Sequence, residues 1–463
     1  MPNIWDFAVS PPPRPQGPAA VFTQGSILRH VLVMTATGSL GLMAIFVVDL
    51  FSLLYVSWLG DPVLTAGVGY ATQVSYFFIS INIGLVIAMG AVVSRAIGAG
   101  DRMAARRLAT SGLVHVTVVS VVTSVIAFPL RDQLLGLLGA QGEALRIGST
   151  FLALILPSNV GMGIGMALAA ILRSVGDARR SMYLTLAGAA VTAIADPILI
   201  FGLGLGVNGA AISTILARIV FVIFGLHAVI SVHHILQRPN RRAVMLDVPP
   251  FMAIAIPAIV TNLATPFATS YAMIVFSRFG EPVVAAFSII DRIIPVAFGV
   301  LFAMSGAIGP VIGQNFGARA WSRVSQTMSK SFLVAIIYVA VVWLLLWLFS
   351  EQIVVLFHAQ DETARLVIFF CNWCGAAWMG LGCLFVANSA FNNLGYPMLS
   401  TAFNWGRATL GTIPFVYFGS QIWGPEGAQM GLFLGAIIFG IAAIISAFWV
   451  TNRLQDRAAK QPV

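Results

Sequence analysis

Three aspartates stand well inside long apolar stretches of this 463-residue chain: Asp49, Asp196 and Asp291. The run TAIADPILIFGLGLG (192–206) offers Asp196 no lysine or arginine within two helical turns. A charge at the centre of a bilayer costs roughly 3 kcal/mol on insertion scales. Such a group therefore needs a polar interior or a neutralising proton. At a helix rise of 1.5 Å per residue, Asp49 lies roughly 16 Å from the turn at Gly60, and Asp196 roughly 15 Å from Gly206. Thr214, on the following helix, lies roughly 12 Å deep. Two carboxylates and a hydroxyl from three helices of one half thus reach similar depth, which permits them to share a pocket. Two close carboxylates in low dielectric cannot both stay ionised, so the pair would hold a proton near neutral pH or capture Na+. The plain alternative is that each acid accepts local hydrogen bonds.

Asp291 is followed by Arg292 on the same predicted helix. It either faces a central cavity, where it would attract a cation, or forms an ion pair or sits at the mouth. Arg407, in FNWGRATLGTIP (403–414), either faces that cavity or binds helix carbonyls. Gln73, Asn82, Asp291, Met304, Asn404 and Arg407 are the candidate lining of a substrate cavity.

Other motifs carry less. CNWC (371–374) and Cys383 place all three cysteines in one span without a nearby histidine, so packing is expected there rather than a zinc site. His115 and His227 read as single hydrogen-bonded core imidazoles. The glycine runs GMGIGMA (161–167) and GLGLG (202–206) lack the strand–helix context and Lys-Ser/Thr of phosphate loops. In lipid, small residues allow close helix packing. No nucleotide, cofactor or resident metal is expected, with Na+ at Asp49 and Asp196 as the one metal possibility.

The elements that would position these groups follow from composition. Hydrophobic residues make up 59% of the chain and charged residues 9%, against about 25% charged in soluble domains. Apolar runs of roughly 20 residues start near 32, 63, 107, 147, 181, 207, 250, 283, 329, 363, 398 and 427. The net charge of +9 is distributed unevenly. Eighteen basic residues fall in the tails and alternate connections, from Arg95 to Lys330, and only four in the opposite ones. That asymmetry orients both termini to the cytoplasm and gives no reason to expect a nucleic-acid partner. Arg218, Arg292 and Arg407 lie inside spans.

The chain also contains itself twice. WLGDPVLTAGVGYA (58–71) aligns with RFGEPVVAAFSIID (278–291), and SRAIGAGDRMAARR (94–107) with GQNFGARAWSRVSQ (313–326). ILRSVGDARRSM (171–182) aligns with AFNNLGYPMLST (390–401), and GVNGAA (206–211) with GPEGAQ (424–429). All four offsets fall between 218 and 220. The expected architecture is an all-α membrane protein of twelve transmembrane helices in two pseudo-symmetric six-helix bundles. Its divisions are a disordered cytoplasmic lead (1–26), a bundle over 27–235, a linker over 236–249, a bundle over 250–452 and a cytoplasmic tail (453–463). Parallel repeats of this kind occur in transporters that rock about a central site.

With Asp49, LRSVGDARRS and ADPILIFGLGLGVNGAAIST in view, residues 27–452 resemble the multidrug and toxic compound extrusion (MATE) family. The resemblance implies a V-shaped pair of bundles in the cell (inner) membrane. It also implies secondary active export of amphipathic, often cationic compounds against inward H+ or Na+. Residue by residue, Asp49 matches the family's first-helix acid, Asp196 its fifth-helix acid and Thr214 the sixth-helix hydroxyl. Thr192 stands where the family has an asparagine, and Phe151 where it has a tyrosine. Proton coupling in the N-terminal bundle is the favoured expectation, with a bilayer-embedded monomer as the working unit. The alternatives are Na+ coupling, a lipid-precursor flippase of the same superfamily, or an intramembrane transferase. The last needs clustered acids with metal ligands or basic residues at a membrane face, and this chain's acids are scattered singly.

Overall fold

The computed structural model describes residues 20–460. Fifteen α-helices occupy them. The first half holds α1 (Ile27–Ser57), α2 (Pro62–Gly98), α3 (Arg102–Leu137), α4 (Gly142–Ile155), α5 (Asn159–Ser174), α6 (Ala178–Pro197) and α7 (Gly206–His227). The second holds α8 (Arg241–Phe276), α9 (Glu281–Gly317), α10 (Trp321–Leu348), α11 (Ser350–Leu356), α12 (Asp361–Asn372), α13 (Trp378–Leu394), α14 (Pro397–Ala408) and α15 (Ile413–Lys460).

Ten helical stretches among the described residues are long and apolar enough to cross a membrane, and the pair α4–α5, bent by 50°, makes an eleventh. The stretch Pro397–Lys460 counts once in that number but holds two crossings. Trp423 and Gly424 leave helical geometry there, Gly424 at φ +62, immediately before Pro425. A glycine tolerates positive φ without a Cβ clash and proline cannot continue the hydrogen-bond ladder, so the chain turns. The twelve crossings expected from hydropathy are thereby accounted for.

Loop acids explain several helix starts. Asp61, Asp101 and Asp177 accept hydrogen bonds from the backbone N–H of Val63, Ala104 and Arg180 at 2.8, 2.8 and 3.0 Å. These are N-caps, each worth about 1 kcal/mol. Such acids satisfy orphan backbone donors and leave Asp49 and Asp196 as acids with no such task.

The chain forms two compact units, one built on Leu40–Ile259, the other joining Phe22–Ser39 to the chain from Val260 on. The crossover points, after residues 39 and 259, lie 220 residues apart, which is the offset of the sequence repeat. The boundaries therefore differ from a simple cut at the basic linker, because the entry segments of α1 and α8 each pack with the other unit's helices. The expected disordered lead falls mainly on residues 1–19, outside the described residues. Its last part is ordered instead. Phe22 is buried, its N–H donates to Gln314 Oε1 at 2.9 Å, and its carbonyl accepts from Asn315 and Arg323. A buried aromatic with both backbone groups bonded cannot remain loose.

The two glycine runs perform different jobs. In GMGIGMA, a Cβ on Gly163 would stand 2.5 Å from Ser120 Oγ, and one on Gly165 2.4 Å from the Phe221 ring, so both permit close helix approach. In GLGLG, Gly204 and Gly206 adopt φ of +65 and +53. That run forms the turn between α6 and α7 rather than a packing seam.

Candidate coupling site

Within the first unit, α1, α6 and α7 bring together the two acids separated by 147 positions in sequence. Asp196, 1% exposed on α6, accepts a hydrogen bond at Oδ2 from the hydroxyl of Ser52 on α1. Ser52 lies three residues after Asp49, on the same side of α1, since i and i+3 share a helix face. Asp49 is exposed on that helix and within electrostatic reach of both Asp196 and Arg218 of α7. Asp49 thus stands one helical turn from the serine that donates to Asp196.

Asp196 is only half satisfied. Its Oδ1 is buried without a hydrogen-bond partner, and Ser213 of α7, which also faces it, completes no bond to it. Buried polar atoms are almost always paired. An orphaned carboxylate oxygen in an apolar interior is suited to carrying a proton, because protonation removes the charge that the surroundings cannot solvate.

Arg218 is the group that sequence reasoning left aside. Its guanidinium Nη1 donates to the Ile155 carbonyl at 3.1 Å and to Ser158 Oγ at 2.7 Å. Both acceptors belong to the break between α4 and α5, where Pro157 interrupts the span. Arg218 thereby ties to α7 the Ile155 carbonyl, which also accepts from Ser158 Oγ at 2.8 Å, and its charge is within electrostatic reach of Asp49. It also lines a groove of about 420 Å³ whose other walls include Leu154, Pro157, Gly161, Ile215 and Ile219. The available signal was a lone arginine in an apolar run, the same anomaly that singled out Asp196.

The hydroxyls expected beside the acids are engaged locally. Thr214 Oγ1 donates to the Ala210 carbonyl at 3.0 Å and Thr192 Oγ1 to the Gly188 carbonyl at 3.3 Å. Phe151 is buried in the apolar core of this unit.

The proposed cavity lining separates into two groups. Gln73 and Asp291 are exposed. The other four are interior and correct the expectation. Asn82 is 1% exposed, donates to Asn159 Oδ1 at 3.0 Å and accepts from Ser120 at 3.0 Å. In the second unit, Asn404 donates to Asn388 Oδ1 at 2.9 Å and to the Ser400 carbonyl at 2.7 Å. Met304 is buried in the main apolar cluster. Arg407, buried, donates to Thr265 Oγ1 at 3.1 Å. Polar side chains in mid-span bond to one another across helices here, which is why their depth misled. His115 is buried and bonded to the Val244 carbonyl at 2.9 Å, whereas His227 is exposed. The three cysteines are free, buried thiols.

The family comparison adds an independent line. The MatE sequence profile matches the chain twice, over residues 39–198 and 257–418. The chain belongs to the MatE family. MatE proteins are transporters, not enzymes, and the double match repeats the internal duplication at offsets of 218 and 220. A protein of Shewanella oneidensis called an FAD transporter is 28% identical over 436 residues, covering 89% of this chain and 93% of that protein. The multidrug export protein MepA of Staphylococcus aureus is 22% identical, covering 94% and 96%. Among solved structures, the Vibrio cholerae MATE transporter VcmN in its bent form superposes with a TM-score of 0.88 at 24% identity, covering 92% of this chain and 97% of that one. This MatE chain is accordingly a multi-pass membrane efflux transporter.

Proposed function

We propose that this transporter is a secondary active antiporter, in which the Asp49/Asp196 pair exchanges one proton for each outward-moving cargo molecule. The observation that carries the reading is the buried Asp196 with one unpartnered oxygen, joined through Ser52 to the helix of Asp49. Outward-facing, the pair takes up a proton. The neutralised unit rearranges, cargo leaves outward, and the proton departs on the cytoplasmic side. Each charge moved through the membrane supplies about 2.3 kcal/mol per 100 mV, and each pH unit about 1.4 kcal/mol. One proton thus supports a gradient of roughly tenfold to a few hundredfold for a neutral cargo; for a monovalent cation the electrical contributions cancel and the pH difference alone supports about tenfold per unit. Thr214 and Thr192 remain neighbours of the acids whose oxygens can accept during the cycle. Gln73 and Asp291, being exposed, are the positions from which cargo contacts are proposed. Both termini are assigned to the cytoplasm on the charge asymmetry, and the protein works as a monomer in the inner membrane.

The proposed cargo is amphipathic and cationic, as the family resemblance implies, and the MepA relative is named a multidrug export protein. The relative called an FAD transporter favours a second reading, in which a flavin nucleotide is carried. Ethidium efflux from cells expressing the protein tests both. Proton coupling predicts collapse on addition of a protonophore, indifference to Na+, and loss in Asp49→Asn and Asp196→Asn at unchanged protein level. Efflux unchanged by the protonophore would reject the proton. Competition by FAD, which is an anion, but not by organic cations would favour the second cargo.

A further inference from the structure

One cation of the first unit has no opposite charge against it. Arg218 stands twelve positions after the turn at Gly206, roughly 18 Å along α7, where a lone charge is costly. Its Nη1 donates to the Ile155 carbonyl at 3.1 Å and to Ser158 Oγ at 2.7 Å, both neutral acceptors. That carbonyl also accepts from Ser158 Oγ at 2.8 Å, so it does not require the arginine. Asp49 is within electrostatic reach, but among the described residues no carboxylate forms an ion pair with Arg218, and its Nε and Nη2 donate no hydrogen bond. The guanidinium borders a groove of about 420 Å³ between the α4–α5 break and α7, a size within the roughly 300–1,000 Å³ of small-molecule sites. Leu154, Ile215, Ile219 and Ile223 make its walls apolar, and exposed Ile219 and Ile223 bring it to the surface of the unit. Gly161 lines it too, and a Cβ there would stand 3.5 Å from Arg218 Cβ. Ser158 caps α5 and Gly161 lies in its first turn, so the partial positive charge of that helix end adds to the arginine's.

We propose that this groove binds a long-chain fatty acid taken from the bilayer, with its carboxylate on Arg218 and its chain along the apolar walls. Guanidinium donors match the two oxygens of a carboxylate, and a paired charge in apolar surroundings costs less than a lone one. The depth of the site selects the head group. A carboxyl can reach that depth uncharged, because burial favours its neutral form. It then ionises beside the guanidinium, and its proton leaves by the mouth of the groove. A phosphodiester keeps its charge on the way in and is held at the interface. An organic cation would meet the like charge of Arg218, so the groove does not serve the cationic cargo proposed above. The fatty-acid site therefore stands independently of that cargo and of the proton exchange.

The test is equilibrium binding of radiolabelled palmitate to the purified full-length protein in detergent. Hexadecanol, dodecyltrimethylammonium and phosphatidylglycerol serve as competitors. Wild type should bind one saturable equivalent, displaced by unlabelled palmitate and by none of the three competitors at the same concentration. Arg218→Met, which keeps an unbranched apolar side chain and loses the charge, should weaken binding at least about tenfold. Arg218→Lys, which keeps the charge, should bind more tightly than Arg218→Met. Ile219→Trp narrows the groove with the arginine in place and should weaken binding as well; it serves as the test if Arg218→Met is not monodisperse. A purely structural arginine would not make affinity follow the charge of the ligand's head group. Absence of saturable palmitate binding by wild type would overturn the proposal. So would displacement by hexadecanol as effective as by palmitate, or a folded Arg218→Met or Ile219→Trp that binds as tightly as wild type. Displacement by phosphatidylglycerol as effective as by palmitate would make the occupant a phospholipid and overturn the carboxylate assignment.

Discussion

The two halves of this transporter share a helix plan and diverge at the positions that matter most. At the repeat offsets, Asp49 corresponds to Thr269 and Arg218 to Ala436. Thr269 donates its hydroxyl back to its own helix, at the Thr265 and Pro266 carbonyls. Ala436 is buried at a helix crossing so tight that a Cβ on Gly380 would lie 2.4 Å from its carbonyl oxygen. The first unit thus accommodates charge on α7, and the second closes α15 onto α13 with small residues. Elsewhere in the second unit, Asn388 and Asn404 form a neutral polar pair, whereas Asp196 of the first unit keeps an oxygen without a partner. The first copy of the duplicated scaffold thus holds a buried acid, Asp196, whereas the span acid of the second, Asp291, is exposed. Stability and chemistry should therefore separate by unit when they are mutated.

The largest effect is expected in the acids. Asp49→Asn and Asp196→Asn should reduce proton-driven efflux to background in vesicles, with little change in melting temperature. In the second unit the sensitivities reverse. A Cβ at Gly435 would fall 1.9 Å from the Gly411 carbonyl oxygen. Gly435→Val should destabilise by about 1–3 kcal/mol or more, read as a lowered melting temperature and poor yield. The same substitution at Gly69, which has open space around it, should be tolerated far better. Asn404→Leu leaves the Asn388 side-chain Oδ1 without its donor and should lower stability by about 1–3 kcal/mol, leaving the pH dependence of transport in place. If instead it shifts that pH dependence, the division of labour between units is wrong.

A smaller effect concerns the cap of α6. Burial works to raise the Asp177 carboxyl, but the Arg180 backbone N–H and guanidinium and the His233 ring outweigh it and hold the group below its ordinary range. A depressed folded value means that the contribution is present above the unfolded value, about 3.9, and disappears as pH falls through the folded one. Asp177→Ala should lose about 1 kcal/mol at pH 7, with melting curves converging on wild type below about pH 4. The smallest effect belongs to Thr214→Val. The hydroxyl donates to its own helix at Ala210, so efflux and its pH dependence should change less than in Ser52→Ala, which removes the donor to Asp196.

The architecture was legible because it is written in periodic features: apolar runs, alternating basic connections and a repeat near 219 residues. Asp49 and Asp196 were legible for a related reason, since a charge in an apolar run is an anomaly that needs no partner to be noticed. Ser52 and Ser213 were not, because serine is unremarkable in a membrane helix until a tertiary contact gives it an acid. Arg218 carried the same signal as the acids, but its partners at Ile155 and Ser158 depend on where the fourth span breaks. Asn82, Asn404, Met304 and Arg407 show the opposite error. Depth in the span says nothing about which face a side chain occupies, and these four face neighbouring helices.

The most direct measurement is a count of protons bound. Purified protein in a weakly buffered solution with a pH indicator is shifted from pH 8 to pH 6, and uptake per molecule is compared with that of Asp49→Asn and Asp196→Asn. The account predicts that each variant binds about one proton fewer than wild type, the two not adding in the double variant because the pair shares a single proton. Equal uptake by wild type and both variants would contradict it.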